Sequence, residues 1–294
     1  MKKILVTTDF SANSKAALRF AIQLASQGEV ALTFLHVQQV MRMTTWNEAT
    51  YLAYKKGELA KAKQTLDHFV ESVYKSQKVS PGQYTCTIQD SPFVDSTIMS
   101  CAADHNFDFI CISTRGAGTL EKLFGTTTAN LVSRSSVPVI AVPGAYRAAK
   151  LTSVLYASDL SSLEPQLRRV IDFVKPLNAT VELLHVSAPD EPITDPEIIR
   201  MAVRKFSDYA VDVQLMPLDR TTSLMTSLAS AIKTTKPSMM IMFTNQDQGF
   251  FHQVFSGSNS VNYSFLTTIP LLVFSKDSGL TAPILTDESV PHQV

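Results

Sequence analysis

The densest collection of groups able to hold an anion lies between Ile112 and Asn130. The run Ile112-Ser113-Thr114-Arg115-Gly116-Ala117-Gly118 leaves an apolar, strand-like stretch and enters a glycine-containing loop. Gly125-Thr126-Thr127-Thr128 then opens a helix-like stretch. Glycines allow backbone amides to approach an anion closely. A helix N-terminus adds unpaired amides and a partial positive charge. The combination suits a phosphate group. The hydroxyls of Thr126, Thr127 and Thr128 are candidate further donors, and Arg115 a forked one. The Lys-Ser/Thr ending of a Walker loop is missing. The plainer alternative is an ordinary strand–loop–helix connection with a threonine cap and a solvated arginine. A second candidate group, Thr7-Thr8-Asp9, ends the first apolar run, where the Asp9 carboxylate is suited to hydrogen bonds from a ribose or a base.

These groups meet only if the intervening elements bring them together. Apolar, β-branched runs predict strands at Lys3–Thr7, Val30–Val37, Tyr84–Ile88, Phe109–Ser113 and Val139–Val142. Helical spacing falls between them at Ser11–Ala25, Ala49–Lys75, Asp95–Asn106 and Thr126–Arg134, with Ser11 as a candidate cap for the first. Such alternation implies right-handed crossovers and a doubly wound parallel sheet. In an open parallel sheet, ligands sit beyond the strand ends where the winding reverses. In the order 2-1-3-4-5 strand 1 borders that point; the related order 3-2-1-4-5 puts strands 1 and 4 there and brings Asp9 opposite the Ser113–Gly118 loop.

The pattern is written twice. Ile4-Leu5-Val6-Thr7-Thr8-Asp9-Phe10-Ser11 resembles Val154-Leu155-Tyr156-Ala157-Ser158-Asp159-Leu160-Ser161. Leu35-His36-Val37 matches Leu184-His185-Val186, and Val137–Val142 matches Ile269–Phe274, in the same order. Three matches in order indicate a duplicated domain. The second copy predicts strands at Thr152–Ala157, Thr180–Val186, Val211–Pro217, Met239–Thr244 and Leu271–Phe274. Its helices are predicted at Leu163–Val174, Pro196–Tyr209 and Leu224–Thr234. The expected domains are therefore residues 1–146 and 151–276, with 277–294 a frayed tail. His36 and His185, in matched positions, read as structural rather than catalytic.

Composition removes other classes. The 294 residues carry 26 Lys+Arg and 26 Asp+Glu, so no electrostatic footprint marks a nucleic-acid binder. No apolar stretch reaches the roughly 20 residues of a membrane span, and Asp9 interrupts the N-terminal run too early for a secretory leader. A cytoplasmic location is expected. Cys86, Cys101 and Cys111 lack zinc spacing and read as buried small hydrophobes. No Gly-x-Ser-x-Gly elbow is present, and no residue reads as a general base for hydrolysis.

On these motifs (the Lys-Lys-Ile-Leu-Val-Thr-Thr-Asp-Phe-Ser opening, Leu-His-Val, the glycine loop, Val-Pro-Val-Ile-Ala-Val) the chain resembles a tandem universal stress protein. The likeness is strong over about 1–144 and weaker over 151–276. The resemblance implies a Rossmann-like α/β fold of the adenine nucleotide alpha-hydrolase type, five parallel strands per domain. It also implies ATP as the cofactor, with or without Mg, and slow hydrolysis at most. By position, Asp9 and Val37 match the family's adenosine-contacting residues, and Gly116, Gly125 and Thr126 its phosphate-contacting ones. Thr7, Thr8, Ile112, Ser113, Arg115, Thr127 and Thr128 complete the candidate set. Two departures stand out. Ser113 occupies the first glycine position, and eight residues rather than nine separate Gly116 from Gly125. In the second copy Asn245-Gln246-Asp247-Gln248 replaces the loop's first glycines, and Asp247 would repel a phosphate, while Asp159, Val186 and Gly257-Ser258 persist. The second domain is thus expected to have lost triphosphate binding. Family members commonly pair through their fifth strands, which here predicts Val139–Val142 against Leu271–Phe274, with homo-oligomers as a further option. The alternative function is a nucleotide-free interaction scaffold of the same fold.

Overall fold

A computed structural model describes residues 1–114, 125–187, 195–218, 223–244 and 268–275. The first half alternates β1 (Lys2–Thr7), α1 (Lys15–Ala25), β2 (Val30–Gln38), α2 (Glu48–Gln77), β3 (Tyr84–Asp90), α3 (Val94–Asp104), β4 (Phe109–Ser113), α4 (Thr126–Arg134) and β5 (Val139–Val142). The second follows with β6 (Ser153–Ala157), α5 (Leu163–Val174), β7 (Thr180–Ser187), α6 (Pro196–Arg204), β8 (Val211–Pro217), α7 (Leu224–Thr235), β9 (Met239–Thr244) and β10 (Leu271–Ser275). Each half has the order 3-2-1-4-5 with parallel neighbours.

The two halves form one ten-stranded sheet, β3-β2-β1-β4-β5-β10-β9-β6-β7-β8. The seam is the antiparallel pair β5–β10, with Leu271 opposite Ala141, Leu272 opposite Ile140 and Val273 opposite Val139. Both strands are apolar and buried throughout. Left as edges, they would expose unpaired backbone groups on an apolar ribbon. Pairing them removes both edges at once.

Strand alternation sends side chains to two layers. Ile4 and Val6 face the layer of α1, α2, α5 and α6, whereas Leu5 faces α3, α4 and α7. Each core runs through the seam without a break, so the halves share their cores as well as their sheet. Phe109 of β4 packs edge-on against Phe173 of α5 and Phe274 of β10, at centroid distances of 5.3 and 6.3 Å. Gln27, just past α1, binds Leu151 through both backbone groups, accepting at 2.9 Å and donating at 3.1 Å.

Local chemistry sets the ends. Asn47 caps α2 by accepting from the Thr50 amide at 2.8 Å, and Lys78 closes it in the left-handed region with φ 56°. α1 begins at Lys15 rather than at Ser11. Ser11 accepts from the Ser14 amide at 3.1 Å, so it closes a turn one step before the helix. α6 ends at Arg204 rather than Tyr209. The Tyr209 hydroxyl binds the Ala179 carbonyl, and Ser207 accepts from the Tyr209 amide at 3.1 Å, which draws the chain off the helix axis. The helix after strand 2 is 30 residues in the first half and 9 in the second. Among the described residues no helix is long and apolar enough to cross a membrane.

Candidate functional site

β1 lies between β2 and β4, so the winding reverses between β1 and β4. The segment leaving β1 is built from its own side chains. The Thr8 hydroxyl oxygen accepts from the Phe10 amide at 3.0 Å and lies 2.8 Å from the Ser14 hydroxyl. Asp9 accepts from the Ser11 amide at 3.0 Å. These short-range bonds hold Phe10 at φ 62°. A bulky residue there costs on the order of 1 kcal/mol. The Phe10 ring stacks on His36 with centroids 4.1 Å apart and meets Phe69 edge-on at 5.7 Å. His36 Nδ1 lies 2.8 Å from the Thr8 carbonyl oxygen. A carbonyl only accepts, so Nδ1 carries the proton, and His36 pins the loop structurally.

Asp9 remains exposed at the tip. Partial burial pulls its carboxyl up, but hydrogen bonds from Ser11 and Ser14 outweigh that and hold it below the ordinary carboxylate value. It is therefore an anion able to accept from a hydroxyl. Val37 is half-buried on β2 beside β3. The adjoining 39–47 loop is anchored by Asp90, which accepts from the Val40 amide at 2.8 Å and pairs with Lys55 at 2.6 Å. Met41 and Met43 project from that loop, and Trp46 lies 4.7 Å from the Tyr54 ring.

On the β4 side several hydroxyls are engaged within the protein. Ser113 accepts from the Ala17 amide at 2.8 Å and donates to the Ser14 carbonyl at 3.3 Å, tying β4 to the first turn of α1. Thr128 is buried and donates to the Ser113 carbonyl at 3.3 Å. Thr8 is buried and committed to its own turn. These three hydroxyls serve the protein, because a buried hydroxyl must find a partner. Thr7 and Ile112 are buried strand residues that form the floor beneath the strand ends. Gly125 caps α4 with φ −58°, a value any residue adopts, and supplies no side-chain cap. The first turn of α4 has no acidic residue. Thr126 is exposed and Thr127 half-buried. Arg115 and Gly116 lie outside the described residues.

Two anchoring residues were not legible as such in the sequence. Asp90 reaches a partner fifty residues earlier. Asp95 of α3 accepts from Asn130 of α4 at 2.6 Å, a bond that holds its carboxyl low and fixes α4. Nothing short-range marks either; both follow from which loops the sheet order makes neighbours.

The second half repeats the first loop. The Leu160 amide donates to Ser158 at 3.1 Å, the Ser161 amide to Asp159 at 3.0 Å, and Leu160 has φ 60°. His185 Nδ1 lies 2.9 Å from the Ser158 carbonyl oxygen. Around that loop the chemistry differs. The register places Phe243 where β4 has Ser113. Phe243 stacks on Phe274 at 4.9 Å, and the Arg169 guanidinium lies 4.5 Å from the Phe274 ring centre while donating to the Ser275 carbonyl at 3.0 Å. Burial lowers the Arg169 pKa. The positions of Asp247, of Phe250-Phe251-His252, of Gly257-Ser258 and of the 277–294 tail lie outside the described residues.

The described groups fit an adenine nucleotide in part. Asp9 is exposed, ionised and placed to take a ribose or base hydrogen bond. The α4 N-terminus, with Thr126, offers amides and one exposed hydroxyl to a phosphate without an opposing carboxylate in its first turn. Among the described residues no group of three or more His, Cys, Asp or Glu could hold a metal ion, so Mg would depend on the phosphates.

Residues 1–143 match the model of the universal stress protein family. A universal stress protein of Mycolicibacterium smegmatis is 29% identical over 149 residues, 50% of this chain and 49% of that protein. The chain thus matches about half the length of that curated relative. A solved universal stress protein from Archaeoglobus fulgidus DSM 4304 aligns over 93% of this chain and 98% of its own, with TM-score 0.68 and 16% identity. A universal stress protein solved in complex with cAMP aligns over 50% of this chain and 98% of its own, with TM-score 0.32 and 16% identity.

Proposed function

We propose, from the match of residues 1–143 to the universal stress protein family model and a 294-residue length that fits a tandem of two such domains, that the first half binds an adenine nucleotide, ATP with or without Mg. The nucleotide acts as a regulatory ligand of a stress-linked sensor rather than as a rapidly consumed substrate. One observation carries the reading. The 3-2-1-4-5 order sets the ionised Asp9 and the uncapped N-terminus of α4 at the same reversal of winding. Asp9 and Val37 take the adenosine; Gly125, Thr126 and Thr127, with Arg115 and Gly116, take the phosphates. When bound, Mg would screen the phosphate charge. Slow hydrolysis at most fits the sequence, in which no residue reads as a general base, and His36 donates through Nδ1 to the Thr8 carbonyl as a structural group. The same reading takes the protein as cytoplasmic and the second half as a structural partner.

A second reading, a nucleotide-free scaffold, draws on the inward commitment of Thr8, Ser113 and Thr128. Isothermal titration of the full chain with ATP separates the two. Binding that weakens about tenfold in Asp9→Ala, the loss of one charge-assisted hydrogen bond, supports the nucleotide reading. Absence of any ATP heat rejects it in favour of the scaffold, and equal affinity in wild type and Asp9→Ala removes the Asp9 cleft as the site.

A further inference from the structure

A cavity of about 400 Å³ opens where the linker between the halves passes α1 and the end of α2. Arg19 of α1, Gln77 at the end of α2, and Tyr146 and Arg147 of the linker line it. No acidic side chain lines it. Neither guanidinium has a hydrogen bond, ion pair or ring partner among the described residues. Both polar atoms of the Gln77 amide are buried without a partner. Leaving such atoms unpaired costs about 1–3 kcal/mol each, so a native protein rarely tolerates it without a compensating ligand or water.

The wall is held in place. The Tyr146 ring packs edge-on against Phe20 at 5.6 Å, and its hydroxyl bridges the Ala149 amide and carbonyl at 3.3 and 3.2 Å. The linker therefore presents Arg147 from a fixed turn. The second half offers an internal control. Arg169 follows Asp159 by ten residues, as Arg19 follows Asp9. Arg169 is engaged by Phe274 and the Ser275 carbonyl, whereas Arg19 has no such partner among the described residues. Gln77 lies at the far end of α2 from the 39–47 loop, about 45 Å along a 30-residue helix.

We propose that this cavity binds a small phosphate-bearing molecule. Two forked guanidiniums match the charge and geometry of a phosphate dianion. The Gln77 amide adds a donor and an acceptor to the polar wall, and the volume lies in the small-ligand range of about 300–1,000 Å³.

Isothermal titration of the full chain with inorganic phosphate at low ionic strength tests the site. Arg147→Gln should bind more weakly, and the double variant Arg19→Gln/Arg147→Gln about tenfold more weakly still, with binding fading as salt rises. Arg147 is exposed, so its variant folds and keeps the test open if the double variant does not. Three results overturn the proposal: no phosphate binding by wild type, equal affinity in Arg147→Gln and wild type, or tighter competition by succinate than by phosphate, which would make the site a carboxylate site. Loss of phosphate binding in Thr126→Val, whose hydroxyl faces the phosphates in the nucleotide reading, would also overturn it, by assigning the phosphate to the nucleotide cleft.

Discussion

The loops Thr8–Ser11 and Ser158–Ser161 are the same device built twice. Each has a hydroxyl accepting from the amide two residues on, an aspartate doing the same, an apolar residue at positive φ, and a histidine from the next strand on the carbonyl. The surroundings are not the same. Beneath the first loop lie Val6 and Ala16, both buried and apolar. Beneath the second, the Tyr156 hydroxyl donates to Gln166 at 2.6 Å and accepts from Ser158 at 3.1 Å. Beside the first loop is Ser113; beside the second is Phe243 under the reach of Arg169. The lesson is that the aspartate turn is a folding device, a way to leave a buried strand and enter a helix with the amides of Phe10 and Ser11, or of Leu160 and Ser161, satisfied by side chains. An aspartate in this turn does not by itself mark a ligand site; what lies next to it decides.

Five measurements would break or sharpen that comparison. The largest effect is expected at the seam. Phe109→Ala removes a buried ring that touches both halves and should cost about 3–5 kcal/mol in urea unfolding. A loss below about 1 kcal/mol would mean that the halves are not packed as one core.

Next is the second half's polar network. Tyr156→Phe strips Gln166 and Ser158 of a buried partner and should destabilise by about 1–3 kcal/mol, although only one oxygen is removed. A neutral result would show the network to be incidental. Arg169→Met keeps much of the apolar stem but removes the cation over Phe274, and about 1–2 kcal/mol of thermal stability should go with it.

The turn itself comes next. Asp9→Ala and Asp159→Ala should cost about the same, near 1 kcal/mol each, since each removes one equivalent acceptor. A gain of stability in Asp9→Ala alone would break the equivalence and mark Asp9 as kept for ligand binding at a structural cost.

The smallest effect is the pH dependence. The Asp9 carboxyl is held below its unfolded value, so the folded state binds fewer protons in that window. Its contribution is complete above the unfolded pKa, about 4, and is lost as pH falls through the lower folded value. Urea midpoints between roughly pH 5 and pH 2 should therefore fall less steeply in Asp9→Ala than in wild type. Identical slopes would show that the carboxylate does not hold the turn.

The fold was legible because strand and helix periods differ, and because duplicated text can be compared with itself. Met239–Thr244, with no alternation, reads as a strand buried on both faces and is one. The candidate site was legible less evenly. Asp9 could be found because its turn is local and written twice. Thr8, Ser113 and Thr128 carry the residue type of a phosphate ligand, yet burial turns each hydroxyl onto the protein's own backbone or side chains. Residue type states what a group can donate; only packing states to whom.

The sequence by itself therefore determined the element types and the repeat. Both rest on interactions within a few residues or on apolar periodicity. The family resemblance anticipated the pairing of Val139–Val142 with Leu271–Phe274; only the tertiary structure decided the strand order and that both cores run through the seam without a break. It also brought Arg19, Gln77 and Arg147 to one cavity and left Arg169 closed over Phe274. The physical reason is range. Such contacts join residues tens to more than a hundred positions apart, and their energy depends on burial that no local pattern encodes.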